Sequence, residues 1–254
     1  MKSIDSGELL YSADQKIANV TINRPEKMNA LDSALIDDLY ELFCQIDGDE
    51  TVRAVVVRGA GGKAFVAGAD IGEIYRMRDT FKFRSYIDHN VRLFNKMMTL
   101  SQPIIAAING YAFGGGCALA MSCDLVVATD RSKFGTQEIN MGFVGNGTAL
   151  TLLAGKQKAA EMTMLGGVIS AEEAYRLMLV NRLVPPDKLE ETVSGLCEGL
   201  LRQSSFALKM AKQVIYNALD AGFRAAGSYE TDAATVCYNT PQCQAAIDSF
   251  VNKR

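Results

Sequence analysis

From Met97 to Cys123 the chain carries no charged side chain, and the stretch is cut by Pro103, by Asn109-Gly110 and by the consecutive glycines Gly114, Gly115 and Gly116. A run of that length without charge belongs in a bilayer or in the middle of a packed core. The interruptions decide between the two, because a spanning helix needs about 20 predominantly apolar residues in one piece. No second span accompanies it, so no membrane partner is expected. The pattern predicts a buried strand, "PIIAAI", then a glycine turn and a buried helix.

A core that deep requires a large domain, and 254 residues suffice for one α/β domain or a domain with a helical appendage. The net charge of −3, without any local Lys/Arg cluster, excludes nucleic acid as a partner class. The six cysteines (Cys44, Cys117, Cys123, Cys197, Cys237, Cys243) form no CxxC pair, and the single histidine, His89, speaks against a zinc site. Scattered free thiols and an N-terminus without an apolar signal segment point to a reducing compartment, the cytoplasm.

Along the chain, "ELLYSAD" and "KIANVTI" predict an opening hairpin around an Ala-Asp-Gln turn. "LDSALIDDLYELFCQI" predicts a helix starting at Asp32 or Ser33. "RAVVVRG", "PIIAAI" and "DLVVAT" read as buried strands with glycine turns and helices between them, hence a mostly parallel sheet with crossover helices. After Pro185-Pro186 the pattern is almost wholly helical. Residues 1–185 are thus expected to form the core, and 186–254 a helical region able to pack on itself or on a neighbouring subunit.

Several motifs fail. "GAGGKAF" lacks the spacing of a phosphate-binding loop, no G-x-G-x-x-G follows a strand, and no G-x-S-x-G elbow exists. His89 lies mid-helix, where a solvated or core-edge role is expected. Two glycine turns remain, "FVAGADIGE" and "YAFGGGCALA", each following a buried strand and opening a helix. They are either tight strand-to-helix turns or two sets of free amides aimed at one oxygen, the geometry of an oxyanion hole. Glu138, in "SKFGTQEINMG", has almost no charged neighbour in sequence. Desolvation would raise its pKa and suit it to proton transfer; the alternative is a salt bridge to Lys133 or Arg131.

Together, "NRPEKMNAL", "KAFVAGADIGE", "INGYAFGGGCALAMSCDLVVAT", "FGTQEINMG" and "ISAEEAYRLMLVNRLVP" resemble the enoyl-CoA hydratase/isomerase (crotonase) family over nearly the whole chain. The resemblance implies an α/β spiral of ββα units with a helical C-terminal trimerisation region, and a homotrimer or homohexamer. It implies an acyl-CoA substrate, no metal and no cofactor beyond the CoA of the substrate itself. The backbone N–H groups of Ala69 and Gly115 correspond to the oxyanion hole, which would hold a thioester enolate. Met28 and Ala30 on one loop, and Ala67, Asp70 and Ile71 on another, correspond to the walls of the acyl-CoA site. Phe250 and Lys253 are weaker correspondences.

The departures carry as much information. Hydratases of the family have two glutamates; this chain has Ala118 at the first position and Glu138 at the second. Loss of a general base costs two to four orders of magnitude, so water addition should be impaired. A single base suffices to shift a 3-enoyl-CoA double bond to 2-enoyl-CoA, and family isomerases resemble this pattern. The stretch "VGNGTALTL" is also shortened and altered, so Asn146, Thr148, Asn140 or Gln137 could line the pocket and place a water. Gly72 stands where a lysine often follows "GADI". The expectations are, in order, an isomerase, an atypical hydratase, a thioester hydrolase or decarboxylase, and a CoA-binding scaffold without turnover.

Overall fold

The computed structural model describes residues 7–221 and 223–252. The chain opens with β1 (Leu9–Asp14) and β2 (Ile17–Ile22), paired antiparallel from Leu9↔Ile22 to Asp14↔Ile17. The turn falls on Gln15 and Lys16, at φ 46° and 70°, rather than on Ala-Asp-Gln. Two left-handed residues match the twist of a two-residue hairpin. A Gln-Lys pair carries none of the Asn-Gly signal that would have located it.

Helix α1 (Ser33–Asp47) starts where Asp32 accepts the Leu35 N–H at 2.9 Å, and it buries Leu35, Ile36, Leu39, Leu42, Phe43 and Ile46. Then come β3 (Ala54–Gly59), β4 (Ala64–Val66), α2 (Ile71–Met77) and α3 (Thr80–Thr99). The next turn of the spiral is β5 (Ile104–Ile108), β6 (Tyr111–Phe113) and α4 (Gly115–Met121). The third is β7 (Leu125–Thr129), β8 (Lys133–Gly135), a 3-10 turn at Glu138–Met141 and α5 (Gly147–Leu165). The core closes with β9 (Val168–Ser170), α6 (Ala171–Arg176) and β10 (Arg182–Val184). Four helices complete the chain: α7 (Leu189–Leu201), α8 (Ser205–Asp220), α9 (Phe223–Tyr238) and α10 (Pro241–Val251).

Each ββα turn gives its first strand to one sheet and its second to another. The larger sheet runs β1-β2-β3-β5-β7-β10 and the smaller β4-β6-β8-β9. All pairs are parallel except β1–β2 and β8–β9. A second sheet corrects the expectation of one sheet.

Alternation explains why β3, β5 and β7 read as continuous apolar runs. Val55, Val57, Ile104, Ala106, Ile108, Val126 and Ala128 face the main core. Val56, Ile105, Ala107 and Val127 face the other way, against Leu189, Val193 and Cys197 of α7. A strand covered on both faces needs no polar residue. The uncharged stretch divides between the end of α3, β5, β6 and α4. Among the described residues no helix is long and apolar enough to cross a membrane.

Candidate active site

The two glycine turns lie side by side. Loop 28–31 runs along 67–70 like a short parallel strand. Ala67 N–H donates to Met28 O at 3.1 Å, Leu31 N–H to Gly68 O at 2.8 Å and Asp70 N–H to Leu31 O at 2.7 Å. In such a ladder every second amide points away, and the Ala69 N–H has no acceptor among the described residues. Gly115 is the first residue of α4, so its amide has no intrahelical partner, and it too has no acceptor there.

Of the three glycines, Gly114 takes φ 52° and ψ −122°, a conformation open only to glycine, and a Cβ on Gly116 would collide with the Val66 carbonyl. A Cβ on Gly114 would lie 3.6 Å from Gly68 Cα and 3.4 Å from Glu138 Oε1. The two turns and the carboxylate therefore meet at one point.

Glu138 is half-buried at the start of its 3-10 turn. Its carboxyl leans on the backbone of Gly145, where any Cβ would clash with it. Oε1 accepts a hydrogen bond from Asn146 Nδ2 at 3.0 Å, and Oε2 is buried without a protein partner. Burial pushes the carboxyl above the usual glutamate range, against the hydrogen bond from its own backbone amide. Neither alternative partner reaches it: Arg131 donates to Asn109 at 2.7 Å, and no ion pair to Glu138 occurs among the described residues. Cys117 is the nearby thiol. Burial foremost, then the Glu138 charge, raise it to about 12, so it stays protonated.

The remaining predicted site residues fall as follows. Met28, in the left-handed region, and Ile71 are exposed beside the turns, whereas Ala30 and Ala67 are half-buried. Asp70 caps α2, accepting the Glu73 N–H at 3.1 Å, and lies 3.3 Å from Arg24 and 3.6 Å from Lys27. Burial pushes its carboxyl up, but the Glu73 amide and the two cations outweigh that and hold it below the usual range. Ala118 is buried, and its N–H donates to Gly114 O at 3.1 Å, so it sits one hydrogen bond from the glycine turn. Asn140 packs against Gly166. The Phe250 side chain and Lys253 lie outside the described residues. His89 is half-exposed and 2.8 Å from Asp37.

Arg24 was not legible in the sequence as part of this region. It is 1 % exposed, lies 3.2 Å from Glu8, 2.7 Å from Asp32 and 3.3 Å from Asp70, and donates to Ala30 O at 2.6 Å. One guanidinium thus ties both walls together and joins the caps of α1 and α2. An arginine before a proline carries no sequence mark of burial.

The enoyl-CoA hydratase/isomerase family model matches residues 12–254. The short-chain-enoyl-CoA hydratase of Clostridium acetobutylicum is 34 % identical over 254 residues, covering 99 % of this chain and 97 % of that protein. The 2,3-dehydroadipyl-CoA hydratase of Escherichia coli is 32 % identical over 97 % of this chain and 96 % of its own length. The crystal structure of an enoyl-CoA hydratase from Mycobacterium smegmatis superposes with a TM-score of 0.94 at 30 % identity, covering 97 % of each chain. The two-sheet spiral and these relatives together make the chain an enzyme of the enoyl-CoA hydratase/isomerase, or crotonase, family.

Proposed function

We propose that this enzyme moves the double bond of a 3-enoyl-CoA to the 2-position with Glu138 as its one acid/base. The observation that carries the reading is the pairing of a single raised carboxylate, with one free oxygen, and two unengaged amides beside it. Ala69 and Gly115 N–H would hold the thioester oxygen. Glu138 Oε2 takes the proton from C2, and the C–H electron pair enters a dienolate whose negative charge rests on that oxygen. The carboxylic acid then returns the proton at C4 as the C3=C4 bond becomes C2=C3. Nothing is added or lost. Each oxyanion donor is worth roughly 3–4 kcal/mol in the transition state, which compensates for the weak acidity of C2.

A second reading is favoured by the names of the relatives: the same site as a hydratase, with Glu138 holding the water. Ala118 counts against it, since no carboxylate stands there to share that water.

Replacing Glu138 by Gln tests the base. Turnover and C2–H exchange in heavy water should fall by at least about a hundredfold, with acyl-CoA binding nearly unchanged. Retained exchange would remove Glu138 from the mechanism. We also propose assembly into a homotrimer or homohexamer, supported by apolar side chains left exposed on the C-terminal helices, among them Val236, Tyr238 and Ile247.

A further inference from the structure

Asn146 is held at φ 59°, ψ 0°, between Gly145 and Gly147, at the residue before α5. Only glycine, asparagine and aspartate adopt that conformation readily, and glycine would meet the backbone requirement as well. The side chain is what distinguishes the choice. Its Nδ2 donates to Glu138 Oε1 at 3.0 Å and to the Gly114 carbonyl at 2.8 Å. Both partners are acceptors, so the NH2 group and not Oδ1 must face them.

The Gly114 carbonyl and the Gly115 N–H belong to one peptide unit. That carbonyl accepts from Asn146 and from the Ala118 N–H, so both its lone pairs are engaged. Hydrogen bonds on the oxygen of a peptide polarise it and strengthen its N–H as a donor. The same side-chain amide fixes Oε1 of the carboxylate and leaves Oε2 to carry the proton.

We infer that Asn146 is a positioning residue of this site, locking the acid/base and the oxyanion peptide to each other through one side-chain amide. The inference rests on the proposed roles of Glu138 and Gly115 and deepens them. It assigns Asn146 a task in proton transfer besides its place in a loop. A donor to the ionised carboxylate favours the charged form, so removing it raises the pH at which Glu138 becomes a base.

The surroundings add no competing charge. Cys117 is a neutral thiol. On α5, Lys158 is paired with Glu161 and Glu173, and Lys156 is exposed. From α3, Phe83 meets Phe143 edge-on, without charge.

The test uses the full chain with Asn146→Gly, which keeps the left-handed backbone, and Asn146→Asp, which keeps the shape but removes the donor and adds a like charge. Three readouts are compared with wild type: kcat and KM for a 3-enoyl-CoA against pH, the Glu138 carboxyl titration by infrared difference against Glu138→Gln, and the absorption of bound cinnamoyl-CoA, which moves to the red as its carbonyl is polarised. Asn146→Gly should lower kcat about ten- to a hundredfold with KM within about twofold. Its acid limb should rise by about one pH unit, and that of Asn146→Asp further. The infrared midpoint should move in parallel and the red shift should shrink. Unmoved limbs, midpoints and spectra in both variants, or losses that only track melting, would overturn the inference. If wild type turns over no 3-enoyl-CoA, the isomerase reading fails, while the carboxyl titration and the thioester spectrum still decide on Asn146.

Discussion

Glu138 is poorly placed for stability, half-buried with no cationic partner among the described residues. Burial raises its folded-state carboxyl pKa above the ordinary value of 4.5, so the stabilisation it gives is fully present below that value and is lost as pH rises through the folded pKa. Glu138→Gln removes this dependence. The Gln variant should melt higher than wild type at pH 8, and the gap should close by pH 4. A gap independent of pH would mean the carboxyl is not desolvated. At this scale Glu138 was legible because its charge stands alone in the sequence, and Gly114 and Gly116 because a glycine run opens a buried helix. Asn146 was legible only as one of four pocket candidates. Its two hydrogen bonds depend on a left-handed turn that brings position 146 to position 114, and local pattern does not encode that approach.

Among the elements, α1 followed its periodicity, and β3, β5 and β7 followed their apolar runs. The smaller sheet did not emerge, because its four strands have three residues each. Three residues are too few to show alternation, and Lys133 and Gly135 in β8 suggest a turn instead. Equally hidden was the attachment of α8. Lys212 is 5 % exposed and donates to Asp124 at 2.8 Å, to Met97 O at 2.8 Å and to Gln102 O at 3.2 Å. It pins the C-terminal helices to α3 and to the starts of β5 and β7. Burial pushes the Asp124 carboxyl up and the Lys212 ammonium down, so neither is content without the other. Lys212→Met should cost about 3–5 kcal/mol in denaturant unfolding, because it strands a buried carboxylate. Lys212→Met with Asp124→Leu should recover much of that loss. A single variant as stable as wild type would contradict the anchor.

For the whole molecule, the resemblance carried the family and the ββα spiral, while composition alone bounded only size and class. What a single chain leaves open to solvent on α9 and α10 bears on assembly, and sedimentation equilibrium should return three or six chains per particle; a monomer would contradict the proposed assembly. The reaction proposed for one carboxylate and two amides is a double-bond shift. It is tested most directly by paired absorbance assays on the purified enzyme, one with a 3-enoyl-CoA and one with the matching trans-2-enoyl-CoA. Conjugation should appear in the first and persist in the second. Loss of conjugation in the second, at a rate matching or exceeding any isomerisation, would contradict the double-bond shift and make the protein a hydratase that activates water without a carboxylate at position 118.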